Sequence, residues 1–395
     1  MKRSNTYLLI GWIVAANAVA GCSPFRRAQV PVGPDCLPQS PVAKACRDAP
    51  IVSHPPTPES SSPQLPVQSY DPSFTSIIGL TPSLVHLAQG FGFTEGPAYL
   101  NDREGRGGFL FFCDLVHNSV YAIHWNGLDR NQSISSSSWD KPILYRNPAG
   151  VIDGQTTSQV GALLGAETAG QRISIVADVS KSLGNPSHQA QTLVDNYKGV
   201  RLNGPDDLVV KSDGSVWFTD PSYGSLEFPG QKAKLPNNVY RYDPKAKQLT
   251  PVALGLNQPN GIAFSPQEKT LYVIDSGAIQ GDRTYFSYLP HTIYSYPVSE
   301  DGKTLGERKT FAVIGPGFPD GMRLDEKGNV YVGALDGVHV LNPAGKLIGK
   351  IMMPKQTANL TFGGRDNNIL FIMSTDSVWA IRLNTRGLVP VRTMT

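Results

Sequence analysis

The chain has 395 residues, with 35 Lys and Arg against 32 Asp and Glu, and a formal net charge of +3 at pH 7. So small a charge over this length argues against a nucleic-acid-binding protein or one that binds a charged membrane surface. The sequence contains no Gly-x-Ser-x-Gly nucleophile elbow, no Walker loop and no Cys-x-x-Cys zinc framework, which disfavours serine hydrolases, nucleoside triphosphatases and zinc fingers.

The first 22 residues predict export. Residues 1–3 are basic at two of three positions, and residues 7–20 form an apolar stretch too short to span a bilayer comfortably. Residues 1–22 are therefore predicted to be a signal peptide. The run VAGC, which ends at Cys22, also resembles a bacterial lipobox, in which cleavage before the cysteine and lipidation of its thiol tether the protein to a membrane.

Two destinations follow from this segment. A bacterial protein would be a membrane-anchored lipoprotein or a periplasmic or secreted protein, whereas in a eukaryote the same segment would be an ordinary secretory signal. We favour the lipoprotein and expect membrane contact only through a lipid at Cys22. The protein is expected to be a monomer.

Residues 23–78 are predicted to be a disordered linker. Proline recurs every few residues and large apolar side chains are few, so the segment cannot bury enough surface to offset its ordering entropy. Cys36 and Cys46 could close a small disulfide loop in an oxidising compartment. Residues 79–395 are long enough to form one domain with a large core.

A short unit recurs along residues 79–395. It is a turn rich in Gly, Asp and Asn that leads into a β-rich strand, seen as NDREGRGGFLFFCD, VKSDGSVWFTD, SPQEKTLYVID, DEKGNVYVGA and GGRDNNILFIMS, with a weaker copy in TTSQVGALLGAE. The strands are predicted to end, at intervals of 53, 53, 55, 59 and 40 residues, at Asp114, Glu167, Asp220, Asp275, Ala334 and Ser374. A period of roughly 40–60 residues predicts an all-β fold, a six-bladed β-propeller.

Four oxygen-bearing side chains precede these strand ends at similar offsets. The offsets are 19, 14, 15 and 14 residues for Glu95, Asp206, Asn260 and Asp320. Equivalent positions in a propeller are related by rotation about the central axis, so the four side chains are expected to meet at one mouth of the channel.

Such a cluster predicts a bound cation. Carboxylates brought together repel one another, and a hard divalent ion that accepts all the oxygens relieves the repulsion. Because neither Cys nor His joins the set, the ligands favour Ca²⁺, with Mg²⁺ or Mn²⁺ also suitable and Zn²⁺ less so.

The motifs around these residues resemble the gluconolactonase / senescence-marker-protein (regucalcin-like) family. They are, in order, EGP at 95–97, RLNGPDD at 201–207, PNGIAFS at 259–265 and PDGMRLDEKGNVYV at 319–332. The resemblance covers roughly residues 80–385. It implies a six-bladed propeller, one catalytic divalent cation in the axial channel, and hydrolysis of sugar or sugar-acid lactones.

The resemblance also assigns roles to single residues. The metal ligands would be Glu95, Asn260 and Asp320, while Asp206 stands where the family commonly has Asn. That difference bears on the charge of the site, its metal and its substrate. By the same resemblance, Arg201 and Asn203 would contact the substrate.

The predicted reaction is the opening of an ester. Attack on a lactone carbonyl creates negative charge on its oxygen, which a cation facing the carbonyl would stabilise. A carboxylate would act as general base, and Asp320 is the first candidate and Asp207 the second. The long stretches 127–160 and 277–290 are expected to shape access to the site.

Other functions could use the same residues. A broader esterase or an organophosphate hydrolase could employ the same cation, because a polarised P=O resembles a polarised C=O. A non-catalytic propeller that binds a ligand is the third alternative, since a fold alone does not define a function.

Overall fold

A computed structural model describes residues 66–395 except 105–106, 126–138, 229, 282–283, 389–391 and 395. The predicted signal peptide, Cys22, the Cys36 and Cys46 pair and most of the predicted linker lie outside the described residues. So does much of the first long stretch, at 126–138. Within the described ranges, none of the helices has the length and apolar character needed to cross a membrane.

Six β-sheets, which we call blades, follow one another along the chain. The first three run from their innermost to their outermost strands as β3 (Thr94–Asn101), β4 (Gly108–Asp114), β5 (Ser119–Trp125) and β6 (Ile143–Arg146); β7 (Ile152–Thr157), β8 (Leu163–Glu167), β9 (Arg172–Val176) and β10 (Gln191–Val194); and β13 (Leu208–Val210), β14 (Val216–Asp220), β15 (Asn238–Asp243) and β16 (Gln248–Ala253).

The second three blades have the same antiparallel order. They are β17 (Pro259–Phe264), β18 (Thr270–Asp275), β19 (Thr292–Pro297) and β20 (Lys309–Val313); β21 (Met322–Leu324), β22 (Val330–Ala334), β23 (Gly337–Leu341) and β24 (Leu347–Met352); and β25 (Thr357–Gly363), β26 (Ile369–Ser374) and β27 (Ser377–Arg382), completed by β2 (Leu84–Gln89).

The remaining elements are short. A ribbon joins β11 (Asn196–Tyr197) to β12 (Val200–Arg201), and three helices are α1 (Pro72–Ile78), α2 (Val179–Ser182) and α3 (Tyr223–Glu227). Two further strands, β1 (Val67–Ser69) and β28 (Arg392–Thr393), extend the fifth and first blades.

The innermost strands β3, β7, β13, β17, β21 and β25 contact one another in this order, and β25 contacts β3, so the ring is closed. The six-bladed propeller predicted from the repeat is therefore confirmed. Each predicted strand end is the last residue of its blade's second strand, because each repeated turn links a blade's first two strands.

Both ends of the described chain close the ring. Strand β2 pairs with β27 from Leu84 opposite Ile381 to Gln89 opposite Ser377, so an early segment completes the last blade. At the other end of the chain, β28 pairs in parallel with the far end of β3, and Leu388 N donates a hydrogen bond to Leu324 O at 2.9 Å. The C-terminal segment thus lies against the far ends of two inner strands.

A cavity of about 510 Å³ lies at this far end of the channel. Inner strands of several blades line it, together with Leu388 and Arg392 of the C-terminal segment and the side chain of Arg323. The C-terminal segment therefore forms part of the wall of the cavity.

The ordered domain begins before the boundary predicted at residue 79. Strand β1 pairs with β24, and α1 buries Phe74, Ile77 and Ile78 against the fifth and sixth blades. The Pro-rich composition hid these residues because three well-placed apolar side chains and an Asp71 cap suffice to dock a short helix. Residues 67–78 belong to the propeller rather than to the linker.

Replacing Phe74 with Ala is expected to lower the free energy of unfolding by about 3–5 kcal/mol, because a fully buried aromatic side chain packed against Gly349 would leave a cavity. Urea unfolding of Phe74→Ala measures the loss. The matched control is Leu80→Ala, at a residue that is 87% exposed, which should stay within about 0.5 kcal/mol of the wild type. Equal stability of both variants would show that the segment is not docked.

Candidate active site

One polar side chain from each blade points to the same level of the channel. They stand at or just before the start of the innermost strands, and we call the set the channel ring: Glu95, Asp153, Asp206, Asn260, Asp320 and Asn359. All four predicted ligands belong to this ring. Asn260 Nδ2 donates a hydrogen bond to Asp320 Oδ1 at 3.0 Å, and the charges of Glu95 and Asp320 both act on Asp206.

The structure adds two residues that the sequence analysis missed. The charge of Asp153 raises the pKa of both Glu95 and Asp206, and Asn359 Nδ2 donates a hydrogen bond to Glu95 Oε2 at 2.8 Å. Both residues obey the offset found for the others, since Asp153 lies 14 residues before Glu167 and Asn359 lies 15 before Ser374. The offset, applied to all six repeats, would have found them.

Local irregularities of the inner strands coincide with the ring. In four blades the register shifts at the ring residue, namely between Glu95 and Ala98, Ile152 and Gln155, Pro259 and Ile262, and Thr357 and Asn359. Such a bulge breaks the alternation of side chains and changes the direction in which one of them points. The bulges allow a strand that is otherwise packed into the propeller to present a polar side chain to the channel.

Carboxylates at the strand ends hold the segments that lead into the ring. Asp114, Asp220 and Asp275 end the second strands of three blades and accept hydrogen bonds from backbone amides a few residues before Glu95, Asp206 and Asn260. These bonds fix the backbone just upstream of three ring residues.

Four ring residues are followed by glycine, and each glycine touches the next blade. The pairs are Glu95-Gly96, Asp153-Gly154, Asn260-Gly261 and Asp320-Gly321. A Cβ on Gly261 would lie 2.5 Å from Asp320 O, and one on Gly154 would lie 2.7 Å from Asp206 O. A Cβ on Gly96 or Gly321 would likewise collide with Asp153 O or Asn359. The ring residues can come together only because no side chain stands between neighbouring blades.

Burial and mutual repulsion govern the protonation of the ring. Glu95 is 2% exposed and Asp206 is 4% exposed. Burial first, and then the charges of neighbouring carboxylates, raise the pKa values of Glu95, Asp153 and Asp206 well above the ordinary range. Burial also raises the pKa of Asp320 to about 7.

Asp207, the second predicted base, is held apart from this set. Its Oδ2 forms an ion pair with Arg323 Nη1 at 3.3 Å, and its Oδ1 accepts a hydrogen bond from Leu208 N at 2.8 Å. Burial raises the pKa of Asp207, while Arg323 opposes that shift. Both oxygens of this carboxylate therefore have protein partners.

Helix α3 lies beside the ring. The Tyr223 hydroxyl hydrogen-bonds with Asn260, and the charges of Asp206 and Asp320 contribute, after burial, to a pKa of Tyr223 well above its usual value. One turn later, the charge of Glu227 acts on Asp153. The phenol of Tyr223 is a neutral donor at the edge of the site, which sequence reasoning did not identify.

The two predicted substrate contacts are engaged elsewhere. Arg201 pairs with Asp195 at 2.6 Å and donates to Gly170 O at 2.8 Å, with almost half of its side chain exposed. Asn203 is fully buried, and its carboxamide bonds backbone groups of Lys234 and Leu235. These contacts leave the substrate roles of Arg201 and Asn203 as predictions.

The ring has the chemistry of a site for a hard cation. Its donors are carboxylate and carboxamide oxygens, and the largest charge effects on Glu95, Asp153 and Asp206 come from other carboxylates. A divalent cation would offset this charge. Among the described residues no three His, Cys, Asp or Glu side chains form a compact metal cluster by themselves, so carboxamides would have to complete the ligand set.

The Gly261→Ala substitution is expected to lower the free energy of unfolding by about 1–3 kcal/mol, because the added methyl would force β17 away from Asp320 O. Chemical denaturation measures the change. In the control Gly306→Ala, a Cβ would meet only Pro297 at 3.5 Å, and stability should be preserved. If Gly261→Ala is as stable as the control, the close approach of the blades is not a constraint.

The metal-free protein should lose stability through Asp320 as the pH rises. Between the ordinary pKa of 3.8 and the folded value of about 7, the unfolded chain loses a proton that the folded chain keeps, so deprotonation favours unfolding. This contribution is complete below pH 3.8 and disappears as the pH rises through about 7. The Tm of the wild type relative to Asp320→Asn, measured with a chelator, should fall from pH 5 to pH 8, and a constant or rising difference would contradict the assignment.

Known proteins share both the sequence and the fold. Residues 93–376 match the family described as SMP-30/Gluconolactonase/LRE-like region. A gluconolactonase of Zymomonas mobilis is 30% identical over 336 residues, covering 81% of this chain and 87% of its own. A gluconolactonase structure from Xanthomonas campestris aligns at 28% identity with a TM-score of 0.65, covering 80% and 94% of the two chains.

A more distant structure, the calcium-binding protein regucalcin of Agrobacterium tumefaciens, has the same fold at 15% identity, with a TM-score of 0.56 over 78% of this chain and 96% of its own. The family match extends over most of the propeller and includes the first to the last of the channel-ring residues. This chain belongs to the SMP-30/gluconolactonase family.

Proposed function

We propose that the protein is a divalent-cation-dependent lactonase that opens sugar or sugar-acid lactones at the channel ring. Lactone hydrolysis is supported by the family match and by the relatives named gluconolactonase. The observation that carries the proposal is the ring itself, in which buried carboxylates from neighbouring blades raise one another's pKa values.

Glu95, Asp206, Asn260 and Asp320 are the proposed ligands. They contribute carboxylate and carboxamide oxygens only, a donor set that suits Ca²⁺ best and would also accept Mg²⁺ or Mn²⁺. When bound, the cation would polarise the lactone carbonyl and stabilise the negative charge that develops on its oxygen. Asp153 adds a further carboxylate, which increases the charge of the ring and favours a divalent over a monovalent ion.

Asp320 is the proposed general base. Its Oδ1 is oriented by the Asn260 carboxamide, whereas both oxygens of Asp207 are already bonded to Arg323 and Leu208. A base must be able to accept a proton from the attacking water, and the ion pair with Arg323 makes Asp207 the poorer acceptor. Asp207 instead anchors Arg323 beside the ring.

Removal of metal from the purified full-length protein should abolish hydrolysis of aldonolactones, and Ca²⁺ should restore it. In Asp320→Ala, kcat is expected to fall about 10²–10⁴-fold because the positioned proton acceptor is lost. Calorimetric titration of Ca²⁺ and circular dichroism separate loss of metal and loss of fold from loss of the base. A matched control is Asp301→Asn, at an exposed turn aspartate, which should retain wild-type turnover.

The outcomes distinguish the alternative functions. Activity that survives complete removal of metal would overturn the cation-dependent mechanism. Cation binding at the ring together with hydrolysis of phosphotriesters, and not of any lactone, would make the protein an organophosphate hydrolase. Cation binding without hydrolysis of any ester would make it a ligand-binding propeller.

We further propose that the protein is exported and anchored through a lipid at Cys22. The basic start and the VAGC run support this location. In a bacterial host, the wild type should sediment with membranes and incorporate a labelled fatty acid, whereas Cys22→Ala should do neither. Labelling of the variant as strongly as the wild type would contradict the assignment.

A further inference from the structure

Helix α3 presents an exposed apolar side chain beside the channel ring. Tyr223 and Glu227 stand one turn apart and both act on ring residues, as described above. Leu226 lies between them, three residues after Tyr223, so it shares the face of the helix that borders the site. Its side chain is 48% exposed. A leucine in this place offers apolar surface at the mouth.

Two more exposed apolar side chains stand at the same edge. The Tyr285 hydroxyl donates a hydrogen bond to Gly317 O at 3.1 Å, three residues before Asp320. A Cβ on Gly317 would lie 2.6 Å from Leu335 Cβ, so the Gly317 backbone packs directly on Leu335. Tyr285 is 50% exposed and Leu335 is 39% exposed.

These three residues form a continuous edge, which we call the apolar rim. Leu226 reaches the loop that carries Tyr285, because a Cβ on Gly281 would lie 3.8 Å from Leu226 Cβ. Leu335 is close to the ring, since Asp320 N donates a hydrogen bond to Gly333 O at 3.1 Å. The rim therefore borders the side of the site formed by Asn260 and Asp320.

Apolar packing continues beneath the rim and around the mouth. Ala278, Ile279 and Phe318 pack with Tyr223 into one buried cluster under the rim. A second cluster contains Phe93, Val151 and Ala358, which stand one or two residues before ring members of three other blades. The side chains around the ring are thus mainly apolar.

The polar groups expected to bind sugar hydroxyls are engaged elsewhere. Arg201 is paired with Asp195, and the Asn203 carboxamide is bonded to the backbone of a neighbouring loop. Substrate that reaches the ring therefore meets apolar surface along the side of Asp320. A lactone with an apolar substituent would remove that surface from water, whereas additional hydroxyl groups there would lose hydrogen bonds to water without replacement.

We propose that the substrate of this lactonase carries an alkyl or aromatic substituent on the lactone ring and that this substituent packs on Leu226, Tyr285 and Leu335. The inference rests on the lactonase function proposed above and names the chemical class of its substrate. Burial of each methylene group against the rim should raise affinity and kcat/KM about fourfold until the rim is covered.

The test compares a series of γ-lactones whose ring substituent grows from hydrogen to methyl, propyl and pentyl. Calorimetry with the corresponding γ-lactams, which resist hydrolysis, gives affinities that do not depend on turnover. Wild-type kcat/KM and lactam affinity should both rise along the series, and D-glucono-δ-lactone should be a poorer substrate than the pentyl lactone. In the double variant Leu226→Ser, Leu335→Ser, both dependences on chain length should flatten.

The matched control is Leu254→Ser, which alters a leucine that is 62% exposed at the outer strand of the third blade and should keep the wild-type dependence. Hydrolysis of lactones with no gain along the series, or an undiminished gain in the double variant, would overturn the role of the rim and leave the lactonase function intact. Chain-length-dependent lactam binding without hydrolysis of any lactone would support the rim and overturn the lactonase function.

Discussion

The approach of neighbouring blades at the channel axis is the constraint on which the rest of this structure depends. Six inner strands can bring their first side chains to one level only if their backbones nearly touch there. Glycine directly after a ring residue makes this contact possible in four blades, and at Gly154 and Gly261 a backbone hydrogen bond to the next blade joins the two. The same residue pair, an oxygen-bearing side chain followed by glycine, therefore supplies both the chemistry of the site and the packing of the ring.

This arrangement concentrates negative charge where water is scarce. Desolvation penalises each ionised carboxylate, and the neighbouring carboxylates increase that penalty. The fold tolerates the charge because its stability comes from elsewhere. Buried apolar clusters within and between blades, and the closure of the ring by β2 and β28, hold the inner strands in place. Site and scaffold thus make opposite contributions to stability, as is common for functional sites.

Much of the fold could be predicted from the sequence, since a repeated turn with alternating Gly, Asp and β-rich residues is a local signal. All six strand ends, from Asp114 to Ser374, were located in this way. The repeat also contained the whole ring, but Asp153 was overlooked because its surroundings were interpreted as a long loop. Asn359 was overlooked because no glycine follows it.

Other features depend on contacts that no local pattern encodes. The docking of α1 requires a groove between two blades that are far away in sequence, so the Pro-rich composition of its surroundings was misleading. The engagement of Asp207 by Arg323 joins residues 116 positions apart, and the ion pair of Arg201 with Asp195 depends on a small ribbon. Tyr223 and the apolar rim likewise arise from loops that meet only in the folded ring.

The C-terminal segment at the far end of the channel has a consequence for traffic through the protein. Because Leu388 and β28 lie against the far ends of β21 and β3, the wall of the cavity there is built from the chain's own terminus. Movement along the axis from mouth to far end is obstructed. The substrate and the hydroxy acid formed from it then use a single doorway, and a departing product must vacate the ring before another molecule enters. In such a blind channel, product accumulation slows turnover by competition for one place.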